Sequence, residues 1–457
     1  GHSVASDYSC NSCPRGMKLI NKYPNSQATC DFCDDRIMFC NGGDEVGPLP
    51  GYWRLNETAD IFLKCPFKAS CLGGYGGGIK SPSPTSICAK GFKGHLCSIC
   101  EDGYGRKSSG RCSDCSTDWT IYLQMIVVFL LNTFLIFLSL KSLRKASYHT
   151  HHSDSPKRDK SFIIKILINY IQAASLIKGL QIDWPNYFEN VIRVNESVAV
   201  GSSKSLTWDC FFPDIENTPT FNKTYLRLII INCIPLLYMI PALVYWTFRY
   251  CRLKKKVWSR NFLNDMILTM IAVCFNSQLT LIEANLEILK CQNIYRRDEP
   301  LFYLESDYSI QCWTSEHQIW AYLVALPLLV FWTLIGPLIL LISLIRNKKK
   351  IETDEYIQRR FAFIYTRYRP EKYYWEFVIL LRKYMFIGAI FIGSFEETYL
   401  QVYFLFYIIW IAIAAHLKGK PYTTNTLNKL EIRSLFCLAA IIMCGLLFVK
   451  ITDNILN

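Results

Sequence analysis

Eight long apolar segments follow residue 118, and they constrain this chain more than any other feature. A helix needs about 20 mostly apolar residues to cross about 30 Å of hydrocarbon. The series excludes a single soluble globule and predicts an all-α polytopic membrane bundle over residues 119–457. The predicted spans, numbered one to eight, cover 119–140, 161–181, 225–248, 262–283, 319–345, 373–394, 399–417 and 431–450.

Basic residues are concentrated in alternate connections between these spans. One set holds 24 Lys and Arg and the other holds 6. The first set is 141–160, 249–260, 346–372 and 418–429, and the second is 182–224, 284–318 and 395–398. The positive-inside rule puts the first set in the cytosol, so both termini are expected outside, on the extracellular or luminal side. The net charge of +13 then reflects membrane orientation, which favours membrane lipids as partners and argues against nucleic acid.

Three N-x-[ST] sequons fall on the expected outer side, at Asn56, Asn195 and Asn222. They predict N-linked glycans on these asparagines. The chain begins at Gly1 without an initiator Met, which suggests a processed chain or a fragment of a longer one.

Residues 1–118 differ from the rest in being short of apolar runs and rich in cysteine, with 12 of the 20 Cys. So small a region with few aliphatic residues buries little core, and disulfides are expected to stabilise it as an ectodomain. The first four cysteines also fit a four-cysteine zinc spacing, but the outer location favours disulfides and no metal. The disulfide candidates here are Cys10, Cys13, Cys30, Cys33, Cys40, Cys65, Cys71, Cys88, Cys97, Cys100, Cys112 and Cys115.

Three further cysteines lie in predicted outer loops, at Cys210, Cys291 and Cys312. Cys291 with Cys312 is the simplest pair. The odd cysteine is then either free or joined to another outer segment.

Span four carries a polar stripe. On a helix that advances about 100° per residue, its members fall within about 60° of one another. One interpretation is a wall of a cation-conducting path, with a carboxylate near each membrane face. The other is a polar face that packs against neighbouring helices. The stripe consists of Asp265, Thr269, Asn276, Thr280 and Glu283.

Other spans contain charges that membrane insertion disfavours. Lys165 lies in span two, and Glu376, Arg382 and Lys383 lie in span six. A charge at mid-depth costs about 2.5–3.5 kcal/mol and normally faces a partner or a cavity. We expect Arg382 and Lys383 to pair with Asp265 or another buried acid, and Lys165 to reach the interface.

Four prolines in spans three and five predict kinks: Pro235, Pro241, Pro327 and Pro337. The sequence contains no P-loop, no HExxH and no GxSxG motif, so we expect neither an enzyme nor a bound cofactor.

The run from Cys88 to Tyr104 resembles an EGF or laminin-type EGF module, since it carries C-x2-G-F-x-G-x2-C followed by C-x2-C-x2-G-Y. Residues 355–450 are similar to the TRP-like membrane core of fungal flavin-carrier proteins. That similarity rests on four motifs: Tyr-x-Arg-Tyr-Arg-Pro, Leu-Arg-Lys, Lys-Pro-Tyr and Asn-x-Leu-Glu.

The whole architecture resembles the cysteine-repeat, growth-factor-receptor-like multi-pass proteins of ciliates and apicomplexans. The similarity also rests on Gly51-Tyr52-Trp53, on Cys71-Leu72-Gly73-Gly74 and on Ile182-Asp183-Trp184-Pro185. It implies a plasma membrane location, or a ciliary or secretory-organelle membrane.

Taken together, these features predict a non-enzymatic receptor, adhesion or assembly protein. Its ectodomain would bind an extracellular protein or a neighbouring membrane subunit, and its bundle would anchor or transmit that contact. The alternative is a TRP-like cation channel or transporter with a polar path along span four.

Overall fold

The computed structural model describes most of the chain. The described residues are 2–4, 10–20, 29–42, 45–54, 61–74, 85–106, 112–115, 119, parts of 123–140, 160–177, 180, 210, 222–252, 258–293, 302–393 and 398–456. Asn56 and Asn195, and the side chain of Cys10, lie outside them.

The chain divides into two compact units. The first joins Gly1–Trp119 with Leu206–Thr224 and Glu287–Ala321. The second joins Thr120–Ser205, Tyr225–Leu286 and Tyr322–Asn457. The first unit is built from short strands and the second from helices, so the fold is a helical membrane bundle with a strand-containing, disulfide-rich N-terminal region.

Short antiparallel hairpins make up the first unit. Each pair of neighbouring strands forms its own two-stranded sheet, and the last three strands form a three-stranded sheet. The strands are β1 His2–Val4, β2 Cys10–Ser12, β3 Met17–Ile20, β4 Thr29–Phe32, β5 Met38–Cys40, β6 Val46–Pro48, β7 Tyr52–Trp53, β8 Leu63–Lys64, β9 Phe92–Lys93, β10 Ile99–Cys100, β11 Tyr104–Arg106, β12 Cys112–Asp114, β13 Cys291–Asn293, β14 Phe302–Leu304 and β15 Asp307–Gln311.

Disulfides supply much of the cohesion that strands this short cannot provide. Cys13 and Cys30 pair with each other, and Cys33 pairs with Cys40, so the zinc interpretation of these positions is wrong. The structure joins the odd cysteine Cys210 to Cys115 in the disulfide-rich N-terminal region. The pairs are Cys13–Cys30, Cys33–Cys40, Cys65–Cys71, Cys88–Cys97, Cys100–Cys112, Cys115–Cys210 and Cys291–Cys312.

One glycine in this unit is required by close backbone approach. Gly73 has φ +74°, and a Cβ there would lie 2.7 Å from the backbone nitrogen of Pro50. Any other residue would clash with the main chain at this point, because backbone cannot move aside as a flexible side chain can.

The helices of the described residues are α1 Phe129–Leu138, α2 Lys160–Ile177, α3 Lys223–Arg252, α4 Trp258–Leu289, α5 Ser315–Arg346, α6 Lys348–Thr353, α7 Glu355–Tyr365, α8 Trp375–Gly393, α9 Thr398–Gly419 and α10 Asn425–Leu456. Eight of these helices overlap the predicted spans, and α6 and α7 lie in the predicted connection 346–372.

Five helices in the described part of the chain are long and apolar enough to cross a membrane, namely α3, α4, α5, α9 and α10. Helices α1 and α2 are apolar but shorter. Helix α8 has 19 residues and holds Glu376, Arg382 and Lys383. Because of these differences the total of eight spans stays a prediction.

Two stretches of α5 widen into π-helix, Ile319–Ala325 and Phe331–Ile335. Each ends two residues before a proline, Pro327 or Pro337. A proline lacks the N–H of a normal helical hydrogen bond and its ring clashes with the preceding turn, which a wider turn relieves. The prolines of α3 leave that helix α-helical, so the four prolines act differently.

The second π-helical stretch leaves one carbonyl without a helical donor. In π geometry the Trp332 carbonyl would accept from residue 337, and Pro337 has no N–H to give. Gln278 Nε2 on α4 donates to this oxygen instead, and so does the Tyr384 hydroxyl on α8. The three helices are therefore joined at a point that the proline creates.

Candidate functional site: a buried ionic network in the helical bundle

Charged side chains of α2, α8 and α10 lie buried together within the second unit. Lys165 Nζ on α2 lies 2.7 Å from Glu376 Oε2 on α8. The same ammonium donates to the Phe363 carbonyl at 2.9 Å and lies 4.2 Å from the centre of the Phe363 ring. Tyr368 donates its hydroxyl to Glu376 at 2.8 Å. Lys165 is thus held by a buried acid, and its position relative to the membrane interface stays a prediction.

Lys383 is held by amide oxygens. Its ammonium donates to Asn169 Oδ1 and to Gln172 Oε1, each at 2.7 Å, and both acceptors lie on α2. Gln172 Nε2 in turn donates to the Asn276 carbonyl on α4 at 3.2 Å. The amide pair therefore connects α2, α4 and α8 through a buried cation.

Arg382, next along α8, points to a different helix. Its Nη1 lies 3.3 Å from Glu431 Oε1 on α10, and the carboxylate is buried. Removing one partner of a buried pair leaves an uncompensated charge, which costs about 3–5 kcal/mol. The pair therefore locks α8 to α10.

Asp265 on α4 makes the most completely bonded pair of the set. Arg359 on α7 binds it in bidentate fashion, with Nε 2.7 Å from Oδ1 and Nη2 2.9 Å from Oδ2. The Tyr250 hydroxyl on α3 donates to Oδ2 at 2.7 Å. Asp265 is 0% exposed. The expected buried acid for Arg382 is Glu431, whereas Lys383 is bonded to amide oxygens and not to an acid.

Two further residue pairs join α4 to the same neighbours, through three hydrogen bonds. Arg360 donates to Asn264 Oδ1 through Nε at 3.1 Å and through Nη2 at 2.9 Å. Trp246 Nε1 donates to Thr269 Oγ1 at 3.0 Å. Helix α7 thus binds α4 with two adjacent arginines.

The polar stripe of span four therefore divides into parts. Asp265, Thr269 and Thr280 are buried in protein. Asn276 and Glu283 are half-buried. For Asp265 and Thr269 this is the environment of a helix-packing face, because their polar atoms are bonded to the neighbouring helices.

A small polar cavity lies inside the network. It measures about 10 Å³, about the space of one water molecule. Lys165, Asn169, Glu376 and Lys383 are among its lining residues. It is too small for a hydrated ion, so this part of the bundle is closed.

Two loops beside the network contact each other through Tyr368 and Tyr422, a contact that we call the tyrosine clasp. The rings of Tyr368 and Tyr422 stack with centroids 5.1 Å apart. Arg369 N donates to the Pro421 carbonyl at 2.8 Å. The Asn428 amide accepts from Tyr422 N at 3.1 Å and donates to Tyr422 O at 3.0 Å. The loops before α8 and before α10 are thereby fixed to each other.

Both tyrosines remain hydroxyl donors. Burial raises the pKa of Tyr368 well above its ordinary value, and the negative charge of Glu376 raises it further. Burial likewise raises the pKa of Tyr422, with Glu431 and Glu376 adding to the effect. Since neither phenol ionises near neutral pH, Tyr368 can donate steadily to the Glu376 carboxylate.

The four motifs singled out in the sequence meet at this one site. They are the stretches 365–370, 381–383, 420–422 and 428–431. Sequence reasoning found the charges of spans two and six but not Arg359, Glu431 or the tyrosine clasp. Glu431 is the acid of the Asn-x-Leu-Glu motif and lies at the start of span eight. This position was the sequence signal from which a partner for Arg382 could have been predicted.

Two other predicted positions have structural roles. Asn222 is buried, and its Oδ1 accepts from Thr224 N at 3.1 Å, so the side chain caps α3. The capping bond uses Oδ1, whereas an N-glycan is attached to Nδ2, so glycosylation of Asn222 stays a prediction. Cys291, Cys312 and His317 lie close together, but the two sulfurs form a disulfide and are not available to a metal.

Comparison with known proteins gives one match. Residues 99–453 match the sequence model of the family described as transient receptor potential (TRP) ion channel. No curated protein and no solved structure matches the chain.

Proposed function

Because the chain belongs to the transient receptor potential (TRP) ion channel family, we propose that it is a channel that conducts cations across a membrane. The observation that carries this proposal is the extent of the match, which covers 99–453 and so includes the five helices of the described residues that are long and apolar enough to cross a membrane. We place it in the plasma membrane or a secretory-organelle membrane, with both termini outside and no enzymatic activity.

The buried ionic network is proposed to hold the closed state. Its pairs connect α2, α4, α7, α8 and α10, and the cavity among them holds about one water. A change that separates these helices must break at least one pair. Closure is favoured because an unpaired charge inside the bundle costs about 3 kcal/mol or more.

Cation flux into proteoliposomes tests the proposal. The Arg382→Gln variant leaves Glu431 without its partner, so the closed state loses stability. A loss of about 3 kcal/mol in a two-state equilibrium is about 100-fold, and flux is expected to rise at least tenfold. Lys418→Gln is the matched control, because Lys418 is an exposed cation on α9.

Flux equal to that of empty vesicles, from both the native chain and Arg382→Gln, would contradict the channel. Flux that is present but rises equally in Arg382→Gln and Lys418→Gln would contradict the gating role of the pair and leave the channel standing.

A second candidate is the receptor or adhesion role of the ectodomain. The observation that favours it is Phe32, an aromatic side chain 77% exposed on a disulfide-bounded hairpin. We expect Phe32→Asp to abolish copurification of an extracellular protein with the full chain while leaving flux unchanged. Copurification that survives Phe32→Asp would rule out this surface.

A further inference from the structure

A buried imidazole fastens the end of α4 to the start of α5. His317 lies in the first turn of α5 and is 0% exposed. Its Nε2 atom lies 3.0 Å from the Ile288 carbonyl oxygen, in the last turn of α4. Its Nδ1 atom accepts from Trp313 N at 3.3 Å, just before α5 begins. We call Ile288, Trp313 and His317 the α4–α5 latch.

The two bonds of the ring fix its protonation state. A carbonyl oxygen can only accept a hydrogen bond, so Nε2 must carry a hydrogen. A backbone N–H can only donate, so Nδ1 must carry none. The closed latch therefore requires a neutral imidazole in this one tautomer.

Trp313 is held in a backbone conformation that large residues rarely adopt. Its φ is +66°, in the left-handed region. His317 Nδ1 holds its N–H, and Gln318 Nε2 donates to its carbonyl at 2.8 Å. Such a conformation persists only where surrounding bonds maintain it. Loss of the bond to His317 thus favours relaxation of the backbone at Trp313.

A second proton on the ring is incompatible with the closed latch. Both nitrogens of an imidazolium are donors, so Nδ1–H would face the Trp313 N–H across 3.3 Å. The charge would also be buried, which is unfavourable without a partner. The helix dipoles offset each other here, because a cation is favoured at the end of α4 and disfavoured at the start of α5.

The surroundings of the ring are the end of α4, strands β13–β15 with their turns, and α5 itself. A ring nitrogen lies within 4.8 Å of both sulfurs of the Cys291–Cys312 disulfide, which does not titrate. The charged or titratable groups on these elements are Glu287, Lys290, Glu305, Asp307, Tyr308 and Glu316.

The carboxylates of this set are not bonded to the imidazole. Glu305 is paired with Lys290 at 2.7 Å. Asp307 accepts from the Thr224 hydroxyl at 2.8 Å. Among the described residues no carboxylate accepts a hydrogen bond from the ring, so the closed latch offers a protonated His317 no hydrogen-bonded counter-ion.

We propose that the α4–α5 latch is an acid-operated switch, closed while His317 is neutral and opened when His317 takes up a proton and releases Trp313. Trp313 connects Cys312 of the disulfide-bonded strands to α5, so acid loosens that connection. The open state binds the extra proton and the closed state does not, so a fall in pH favours the open state. The acid reaches the latch from the outer side, and this rests on the placement given under Proposed function and not on cation conduction.

The test is hydrogen–deuterium exchange of the Trp313 amide in the full chain, in phosphatidylcholine nanodiscs, resolved by mass spectrometry. The pKa of an unperturbed imidazole is about 6.5, so the ratio of closed to open latch falls about tenfold per pH unit below that value. Between about pH 7.5 and about pH 5.0, protection of this amide should fall about 30-fold after correction for the intrinsic exchange rate.

Two variants separate His317 from other groups. His317→Gln retains an N–H donor for the Ile288 carbonyl and does not titrate, so its Trp313 protection should change less than about twofold over the same range. His95→Gln is the matched control, because His95 lies in the same unit and contacts the rings of Trp53 and Tyr303. This control should retain the full response to pH.

The amides of the β3–β4 hairpin, in the same unit, are the internal reference. Protection of Trp313 that does not respond to pH, or that falls equally in His317→Gln, would overturn the proposal. An equal loss in the β3–β4 hairpin would indicate general acid unfolding and would also overturn it. If His317→Gln fails to fold, the comparison of Trp313 with this hairpin in the native chain and in His95→Gln decides. Because exchange is measured without flux, a failure of the latch and a failure of the channel are separate results.

Discussion

At the scale of single residues, buried ion pairs connect the helices and loops of this bundle. Asp265 has its two carboxylate oxygens bonded by Arg359 and by Tyr250. Glu376 has Lys165 and Tyr368. In each case the partners come from other helices or loops, so the charge is stabilised only while those elements stay together.

The bidentate geometry at Asp265 gives a sharp prediction. Arg359→Lys keeps the charge but cannot make both parallel bonds, and Arg359→Gln removes the charge. We expect thermal unfolding in detergent to show a small loss for Arg359→Lys and a loss of about 3 kcal/mol for Arg359→Gln. Lys349→Gln, an exposed cation on α6, is the control.

The contributions of Asp265 and Arg359 to stability should also be coupled. Asp265→Asn combined with Arg359→Gln should cost clearly less than the sum of the two single changes, because the second removes a charge that the first left unpaired. Additive losses would mean that the two side chains do not depend on each other.

The hydroxyl of Tyr368 gives a second prediction at this scale. Tyr368→Phe keeps the ring stacked on Tyr422 and removes the bond to Glu376. A hydrogen bond to a charged group is worth about 1.5–3 kcal/mol, so the unfolding temperature should fall. Tyr407→Phe, in which an exposed tyrosine of α9 is changed, should not lower it. Equal unfolding temperatures for the native chain and Tyr368→Phe would show that the hydrogen bond from Tyr368 to Glu376 does not stabilise the protein.

At the scale of elements, hydropathy predicted the helices far better than it predicted their partners. The predicted span five at 319–345 lies within α5 Ser315–Arg346, because an apolar run of more than about 20 residues is readily recognised as a long helix. The partner of Asp265 could not be predicted, since Arg359 lies 94 residues away in a basic loop. Which charges meet depends on helix packing, which a single sequence does not encode locally.

The buried ionic network was also predicted only in part from the sequence. The mid-depth charges of span six implied a buried acid, and Glu431 is that acid for Arg382. For Lys383 the partners are the amide oxygens of Asn169 and Gln172 on α2, which the charge pattern of the sequence does not indicate.

The π-helical stretch of α5 yields a rescue prediction. Gln278→Leu removes one of the side chains that bond the Trp332 carbonyl, which we expect to cost about 1–3 kcal/mol of stability. Pro337→Ala supplies a backbone N–H for that carbonyl, so the double variant should regain most of the loss. Pro235→Ala in α3 is the control proline and should restore nothing. The readout is thermal unfolding in detergent, and a double variant no better than Gln278→Leu would contradict this explanation.

At the scale of the whole molecule, the chain joins a disulfide-rich unit of strands to a bundle of the TRP ion channel family. Among the described disulfides, the longest loop is closed by Cys115 and Cys210, with a separation of 95 residues. In the chain-entropy account a loop near 100 residues contributes about 4.7 kcal/mol.

Removing the Cys115–Cys210 disulfide should therefore lower the stability of the protein strongly. Cys115→Ser combined with Cys210→Ser is expected to lower the unfolding temperature more than loss of the shorter Cys65–Cys71 loop, whose separation is 6 residues. Cys444→Ser, at a free cysteine of α10, controls for the substitution itself. Equal losses for the two disulfides would show that loop length does not govern stability in this unit.

The most direct test of the account is a charge exchange measured by cation flux in proteoliposomes. Arg382→Glu and Glu431→Arg each put two like charges together inside the bundle, and each should raise flux. The double variant restores an ion pair in reverse, and its flux should return toward the native level. High flux that persists in the double variant would contradict closure by this pair. The absence of flux from all four proteins would contradict the channel itself.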